Sequence, residues 1–320
     1  MSTVYFLVQQ TMYFSIPLLV VALGGLFAER SGIINIALEG IMIMGAFSGV
    51  LFMNRVQFAG EALSGQLLLF LALIVSGVAG GLIALPHAYA SINMKANQII
   101  SGTAINMFTP AVTMFIARAI FGVKQIPFKN YFLIEKVALL GEIPVIGPLF
   151  FRNTYITTYI GFIILILSWL LLYKTPFGLR IRSCGEHPHA ADSAGINVYR
   201  MRYAGTLISG ILAGVGGLIF VVPTSVQFDG TVSGYGFLAL AVLIFGQWKP
   251  TRILAAAFFF GLIKTIAATS SGLAFLSGLP IPSDIYKMIP YITTIVVLAF
   301  SSRASMAPRA EGIPYDKGGR

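Results

Sequence analysis

The amino-acid sequence predicts an all-α protein that crosses a membrane many times. Hydrophobic residues make up 57% of the 320 residues and charged residues only 10%, with a mean hydropathy of +0.86. A soluble domain would carry roughly a quarter charged residues. The apolar residues also fall into runs that approach the length, about 20 residues, that a helix needs to cross a bilayer. We therefore expect a single transmembrane domain, residues 1–320, with nine or ten helices.

Apolar runs alternate with short polar connections along the whole chain. The runs are nearly free of charge, which is the pattern of helices that span a bilayer. A shorter apolar piece at residues 236–246 is too brief for a complete crossing and predicts a half-helix. The longer runs, in chain order, occupy residues 11–28, 41–53, 66–90, 98–121, 155–173, 203–222, 253–268 and 288–300.

The polar stretch at residues 31–40 decides the number of crossings. If it only separates two ordinary spans, nine crossings follow and the N-terminus lies outside the cell. If residues 29–53 hold a broken or re-entrant pair of half-helices, ten crossings follow and the N-terminus is cytoplasmic. We favour ten, because Asn35 and Glu39 interrupt the apolar pattern at the point where a helix would break.

The longest charge-dense connection, residues 174–202, sets the orientation of the chain. Its basic residues outnumber its acidic ones by five to two, and connections with a basic excess stay in the cytoplasm. By alternation, the loop at residues 122–154 lies outside the cell and the tail at residues 302–320 lies in the cytoplasm. The basic residues are Lys174, Arg180, Arg182, Arg200 and Arg202, against Glu186 and Asp192.

A short helix is predicted inside this cytoplasmic connection. Residues 189–194 are small and compatible with a helix, Pro188 precedes them and Gly195 follows. Proline at the start and glycine just past the end are the usual boundaries of a helix. The connection therefore holds a helix of one or two turns outside the membrane.

Two glycine-rich segments indicate an internal inverted repeat. Residues 76–86 are similar to residues 209–223, and by the topology above the two segments cross in opposite directions. Inverted repeats are common in transporters. Small residues also let membrane helices pack closely, which is an alternative reason for the glycines. Pairs with the four-residue spacing of such contacts are Gly45 and Gly49, Gly77 and Gly81, and Gly210 and Gly214.

The sequence excludes several classes of function. It has no glycine-rich G-x-x-x-x-G-K-[ST] loop for nucleotide phosphates, so no ATP site is expected on this chain. Cys184 is the single cysteine, and His87, His187 and His189 form no pattern of metal ligands. We expect no catalytic residue, no metal and no cofactor. The net charge of +10 comes from basic residues scattered at the ends of spans, which does not favour nucleic-acid binding.

Polar side chains inside the predicted spans are candidates for a substrate pathway. Polar groups are costly in lipid, so they tend to face a cavity or a path through the protein. For Asn35 and Glu39 the alternative is that they cap the ends of a broken helix, and for Asn106 it is a hydrogen bond between helices. The candidates are Asn35, Glu39, Asn97, Gln98 and Asn106.

The cytoplasmic connection resembles the coupling loop of ABC-importer permeases of the branched-chain amino acid, ribose and nucleoside superfamily. That family carries the pattern G-E-x-P-x-A-A-x-x-A-G-I at this place. The resemblance implies a coupling helix that docks on a separate ATPase subunit, which binds the ATP. The matching residues are Gly185, Glu186, Pro188, Ala190, Ala191, Ala194, Gly195 and Ile196.

Further motifs resemble the nucleoside branch of the same family. They are ERSGIINIALEG from residue 29, GYGFLALAVLIFGQWKP from residue 234 and the closing PYDKGGR. The family usually has Arg where this chain has Gln247, so no role is assigned to that side chain. The resemblance implies import of nucleosides through a bacterial cytoplasmic membrane. It also implies two further partners, a second related permease and a substrate-binding lipoprotein or periplasmic protein.

Other functions stay open at this point. Related permeases of the same superfamily carry a simple sugar such as ribose, or a branched-chain amino acid. An ion-coupled secondary transporter would need an acidic residue inside the membrane, and only Glu39 is a candidate. A membrane-embedded enzyme would need paired carboxylates, an H-E-x-x-H helix or a Ser/Lys pair, and the sequence has none of these in its spans.

Overall fold

A computed structural model describes residues 2–60, 63, 65–270, 283–301 and 306–318, and these residues form an all-α bundle. The helices are α1 (Ser2–Arg30), α2 (Leu38–Phe58), α3 (Gly65–Ile92), α4 (Gln98–Phe121), α5 (Ile156–Lys174), α6 (Pro176–Glu186), α7 (Pro188–Ser193), α8 (Val198–Thr224), α9 (Tyr235–Phe245), α10 (Pro250–Thr269) and α11 (Ser283–Ser301). The strands are β1 (Ile126–Pro127), β2 (Leu133–Lys136), β3 (Arg152–Tyr155) and β4 (Gln227–Phe228).

The predicted fold class is confirmed. Among the described residues, seven helices are long and apolar enough to cross a membrane, namely α1 to α5, α8 and α10. Helix α9 is apolar but has only 11 residues, as expected of a half-helix. The two segments of the predicted inverted repeat lie in α3 and α8, which run antiparallel. The repeat itself stays a prediction.

The prediction of two half-helices within residues 29–53 is wrong. The chain breaks once, at residues 31–37, and α2 then continues unbroken for 21 residues. We call residues 31–37 the helix break. A run of polar residues reveals that a helix stops, but not whether the following apolar run is one helix or two.

The bundle has two distinct ends, which we name by what they hold. The outer end holds residues 122–155, and the inner end holds α6 and α7. Near the N-terminus, the Gln9 amide donates to the Pro148 carbonyl at 2.7 Å, so α1 begins at the outer end. The described helices then pass between the ends nine times, with α9 and residues 225–234 together making one passage. The favoured ten-crossing topology, which placed the N-terminus at the same end as α6 and α7, is therefore wrong.

Short antiparallel strands close the outer end. Strand β2 pairs with β3, with Leu133 opposite Tyr155, and β1 pairs with β4, with Ile126 opposite Phe228. Polar side chains of the bundle secure this layer: the Asn54 amide donates to the Pro127 carbonyl at 2.7 Å. The predicted external loop is therefore a folded cap over the helix ends.

Helix α8 lies at the centre of the bundle because its glycines let three helices, α1, α2 and α3, approach it. A Cβ atom added at Gly45 would lie 2.3 Å from the Cα of Gly214, and one added at Gly214 would lie 2.3 Å from the Ser76 carbonyl oxygen. These contacts bring α2 and α3 against the same part of α8, as small residues do in membrane proteins. The tightest glycine contact of α3 is made by Gly80, not by Gly77 or Gly81.

We expect Gly214→Val to prevent stable folding. The added atoms would overlap the α3 backbone at Ser76 and Gly80, 2.3 and 2.9 Å from the new Cβ, and overpacking of a filled core costs about 1–3 kcal/mol or more. Gly77→Ala is the control, because its new methyl would lie 3.2 and 3.3 Å from side-chain methyls of Val215 and Ile211 and at an ordinary contact distance, 3.8 Å, from the Ile211 carbonyl oxygen. The measurement is thermal unfolding of the detergent-purified proteins. Equal unfolding temperatures for the two variants would contradict this packing.

Candidate functional site: helix break and coupling surface

The helix break exposes main-chain groups inside the bundle, where water cannot pair with them. Non-helical backbone at this depth requires partners from the protein itself. The Ile34 amide donates to Gln98 Oε1 at 2.7 Å, and the Ile34 carbonyl lies 3.0 Å from Nε2 of His87. Since a carbonyl only accepts, Nε2 must carry the hydrogen. Side chains of α3 and α4 therefore hold one residue of the break from both sides.

Asn106 and Asn35 add further hydrogen bonds to this segment. The Asn106 amide donates to the Ile36 carbonyl at 2.8 Å and its oxygen accepts from the Gly40 amide at 2.7 Å. The Asn35 side chain is fully buried and donates to the Ser209 hydroxyl at 2.8 Å. The helix break is thus hydrogen-bonded to α4 and to α8. Movement of either helix would therefore displace residues 31–37.

Glu39 joins the start of α2 to the start of α9. One carboxyl oxygen accepts from the Gly234 amide at 2.9 Å and the other accepts from the Gly236 amide at 2.6 Å. The first amides of a helix have no partner within it, and acidic groups are favoured at this end. Glu39, which is 7% exposed, therefore caps the half-helix from a different helix.

Four of the five predicted pathway residues converge on this region, and one does not. Asn97 is exposed at the inner end and caps α4 by accepting from the amides of Ile99 and Ile100. The pathway role of all five stays a prediction. Sequence reasoning did not select His87 or Ser209 as members of this site. A histidine within a membrane span is itself a signal of function or of a buried bond.

The predicted short helix in the cytoplasmic connection is present as α7. His187 caps it, with Nδ1 accepting from the Ala190 amide at 3.2 Å, and Pro188 occupies the first turn. Gly195 follows with a φ of +81°, a backbone conformation that favours glycine. The helix projects from the inner end between α6 and α8.

The residues that match the family's coupling pattern divide into two groups. Glu186, Ala190, Ala194 and Gly195 are exposed, and Ile196 is half-buried. Gly185, Pro188 and Ala191 are buried against the chain itself, and the coupling role of all eight residues stays a prediction. The side chain of Ala191 packs with Cys184, Val198 and Tyr315. We call the exposed residues Glu186, His189, Ala190, Ser193 and Ala194 the coupling surface.

Arg30, at the end of α1, connects the coupling surface to the half-helix. Its guanidinium lies 3.3 Å from the Glu186 carboxylate and donates to the Trp248 carbonyl at 3.0 Å. Trp248 follows α9, and its indole donates to Glu29. The end of α6, the end of α1 and the turn after α9 therefore form one bonded unit.

The single cysteine, Cys184, is buried at the inner end. Burial raises the pKa of the Cys184 thiol to about 11, so little reactive thiolate is present at neutral pH. Within the described residues, no group of three His, Cys, Asp or Glu side chains is placed to hold a metal ion.

Comparison with known proteins extends over nearly the whole chain. The chain is 45% identical to the guanosine ABC transporter permease protein NupQ of Bacillus subtilis, covering 98% of this chain and 97% of NupQ. It is 39% identical to the nucleoside ABC transporter permease protein NupC of Lactococcus lactis, covering 99% and 98%. A putative glucose ABC transporter permease protein of Haloferax volcanii, TsgC13, is 31% identical, with 92% and 91% covered.

A second, more distant permease of Bacillus subtilis also matches. The guanosine ABC transporter permease protein NupP is 25% identical, covering 90% of this chain and 79% of NupP. No solved structure matches. The family model described as the branched-chain amino acid transport system permease component matches residues 7–298. The chain belongs to this family of transport permeases.

Proposed function

We propose that this chain is a membrane-spanning permease subunit of an ABC importer for nucleosides. The observation that carries the proposal is full-length similarity, at 45% and 39% identity, to permeases named for guanosine and nucleoside transport. The helix break and its amide and carboxyl partners add a polar interior. Such an interior suits a neutral solute rich in hydrogen-bonding groups.

The mechanism that we propose is alternating access driven from the inner end. An ATPase subunit, which binds the ATP, docks on the coupling surface and moves α7 when it hydrolyses nucleotide. Arg30 bonds the neighbouring Glu186 to the turn after α9, and Glu39 bonds the start of α9 to α2. Movement of α7 therefore reaches both discontinuous segments, the helix break and α9, and opens the bundle to the opposite side.

Three protein partners follow from this proposal. The ATPase subunit meets the inner end, and a substrate-binding lipoprotein or periplasmic protein meets the cap at the outer end. A second, related permease completes the pathway, which is supported by the match to both NupQ and NupP from one organism. The assembly lies in the cytoplasmic membrane of a bacterial cell.

Glu39 argues against an ion-coupled secondary transporter. It was the one acidic residue available for a coupling ion, and both of its carboxyl oxygens are bonded to main-chain amides of the α9 start. A coupling carboxylate must bind and release its ion in each cycle. Here binding of an ion by Glu39 would break the cap of a helix.

Import of a simple sugar is the second candidate, and it rests on the 31% identity to the putative glucose permease TsgC13. Uptake of radiolabelled guanosine and adenosine in cells that carry the complete transporter tests the two. We expect unlabelled nucleosides to compete with the label, and unlabelled ribose, glucose or leucine to leave uptake unchanged. Competition by ribose or glucose alone would favour the sugar.

A further inference from the structure

The C-terminal tail does not extend away from the bundle but returns across its inner end. Residues 306–318 begin beside the turn after α9, where the Met306 amide donates to Gln247 Oε1 at 3.1 Å. The Ala310 amide then donates to the Gly185 carbonyl at 2.8 Å, at the end of α6. The tail therefore contacts in turn the elements that surround the coupling surface.

The middle of the tail is anchored directly on the helix break. The Gly312 amide donates to the Gly32 carbonyl at 3.1 Å, and the Ile313 carbonyl accepts from the Arg202 guanidinium at 3.0 Å. Arg202 is 1% exposed, so the bond lies away from water, where a lost partner is expensive. This anchor fixes the tail to the break and to the start of α8.

The end of the tail is anchored on the coupling helix. The Tyr315 ring is 4% exposed and lies 5.1 Å from the His189 ring and 5.5 Å from the Tyr199 ring, between centroids. It packs with the buried Ala191 of α7. The ion pair of Lys317 with Asp192, at 3.8 Å, is exposed and adds little. Burial of the Tyr315 ring is therefore the main interaction that binds the tail to α7.

We propose that residues 306–318 act as a strap that transmits movement of the coupling helix to the helix break. A single residue, Pro314, separates the anchor on α7, Tyr315, from the anchor on Arg202, Ile313. Such a short extended segment cannot absorb a displacement of several ångströms, since each residue spans at most about 3.6 Å. A displacement of α7 therefore pulls on the backbone at Gly32. Tyr315 is a positioning residue, and the strap rests on the proposed ATPase docking.

The test measures hydrogen exchange of the backbone at residues 31–37 in the complete transporter, with and without ATP trapped by vanadate. In the wild type we expect ATP to change this exchange. Tyr315→Ala should abolish the change at 31–37 while the change at α7 persists. Tyr315→Phe keeps the ring, and Ile313→Ala alters a side chain that is exposed. Both controls should behave like the wild type.

A second variant keeps the test valid if Tyr315→Ala fails to fold. Insertion of two glycines between Ile313 and Pro314 keeps both anchors and only lengthens the strap. We expect the insertion to uncouple the helix break from α7. Uptake should fall by about 5–150-fold, the factor that corresponds to typical coupling free energies between two sites, while the rate of ATP hydrolysis stays unchanged. If the ATP-dependent change in hydrogen exchange at residues 31–37 persists in this insertion variant, the proposed role of the strap is wrong. Absence of nucleoside uptake by the wild type would instead contradict the assignment of nucleosides as substrate. The hydrogen-exchange result would still show whether residues 306–318 link α7 to the helix break.

Discussion

Ala190→Glu should abolish nucleoside uptake without reducing the amount of permease in the membrane. Ala190 lies on the exposed side of α7, so the glutamate meets water in the isolated chain and leaves the fold intact. In the transporter the same side chain would face the ATPase subunit. An unpaired charge buried in a contact costs about 3–5 kcal/mol. The measurement is uptake of radiolabelled guanosine, normalised to permease in the membrane.

Two further substitutions on the same helix control for this prediction. Ala190→Ser keeps the small size and should transport normally. Ala191→Glu places the charge on the buried side, against Cys184 and Val198, and should lower the amount of folded protein rather than uncouple it. Normal uptake by Ala190→Glu would show that α7 is not the ATPase contact, and the proposed coupling mechanism would fall.

Glu39→Ala should both destabilise the protein and stop transport. The substitution leaves the amides of Gly234 and Gly236 without their carboxyl partner at a buried site. Each buried donor left unpaired costs about 1–3 kcal/mol, so the pair costs about 2–6 kcal/mol. The first turn of α9 then loses its cap as well as its link to α2. Thermal unfolding and uptake of the purified, reconstituted transporter measure the two effects.

Glu39→Gln removes the negative charge of the side chain but keeps one oxygen that can accept a hydrogen bond. A glutamine oxygen can accept from one of the two amides, so we expect an intermediate loss of stability. Glu135→Ala, which removes an exposed carboxylate of β2, should change neither quantity. If Glu39→Ala unfolds at the wild-type temperature, the carboxyl group does not hold the half-helix in place.

Apolar run length predicted most of the fold. Each run from residue 11 to residue 268 lies in a helix of the structure, because about 20 apolar residues leave few alternatives to a span. The helix break was also visible, from the polar residues Asn35 and Glu39. The number of crossings was not, since it depends on whether α2 is continuous. That is settled by long-range bonds such as Asn106 to Gly40.

Side-chain roles at the site were less predictable because they depend on distant partners. Asn97 and Asn106 are the same residue type on the same helix, yet one caps α4 in water and the other bonds the break. Nothing local distinguishes them. Likewise Ala190 and Ala191 both match the family pattern, but only Ala191 is buried, by packing with Cys184, Val198 and Tyr315. A pattern match marks the segment but not its exposed face.

The most direct test of the central claim compares nucleoside uptake in cells with and without the partner ATPase subunit. Both strains must carry equal amounts of this permease. If the chain is the permease of an ATP-driven importer, uptake of labelled guanosine disappears when the ATPase is deleted and returns when it is supplied again. Guanosine uptake through this permease that continues undiminished without the ATPase would contradict the account and indicate a transporter that works without ATP.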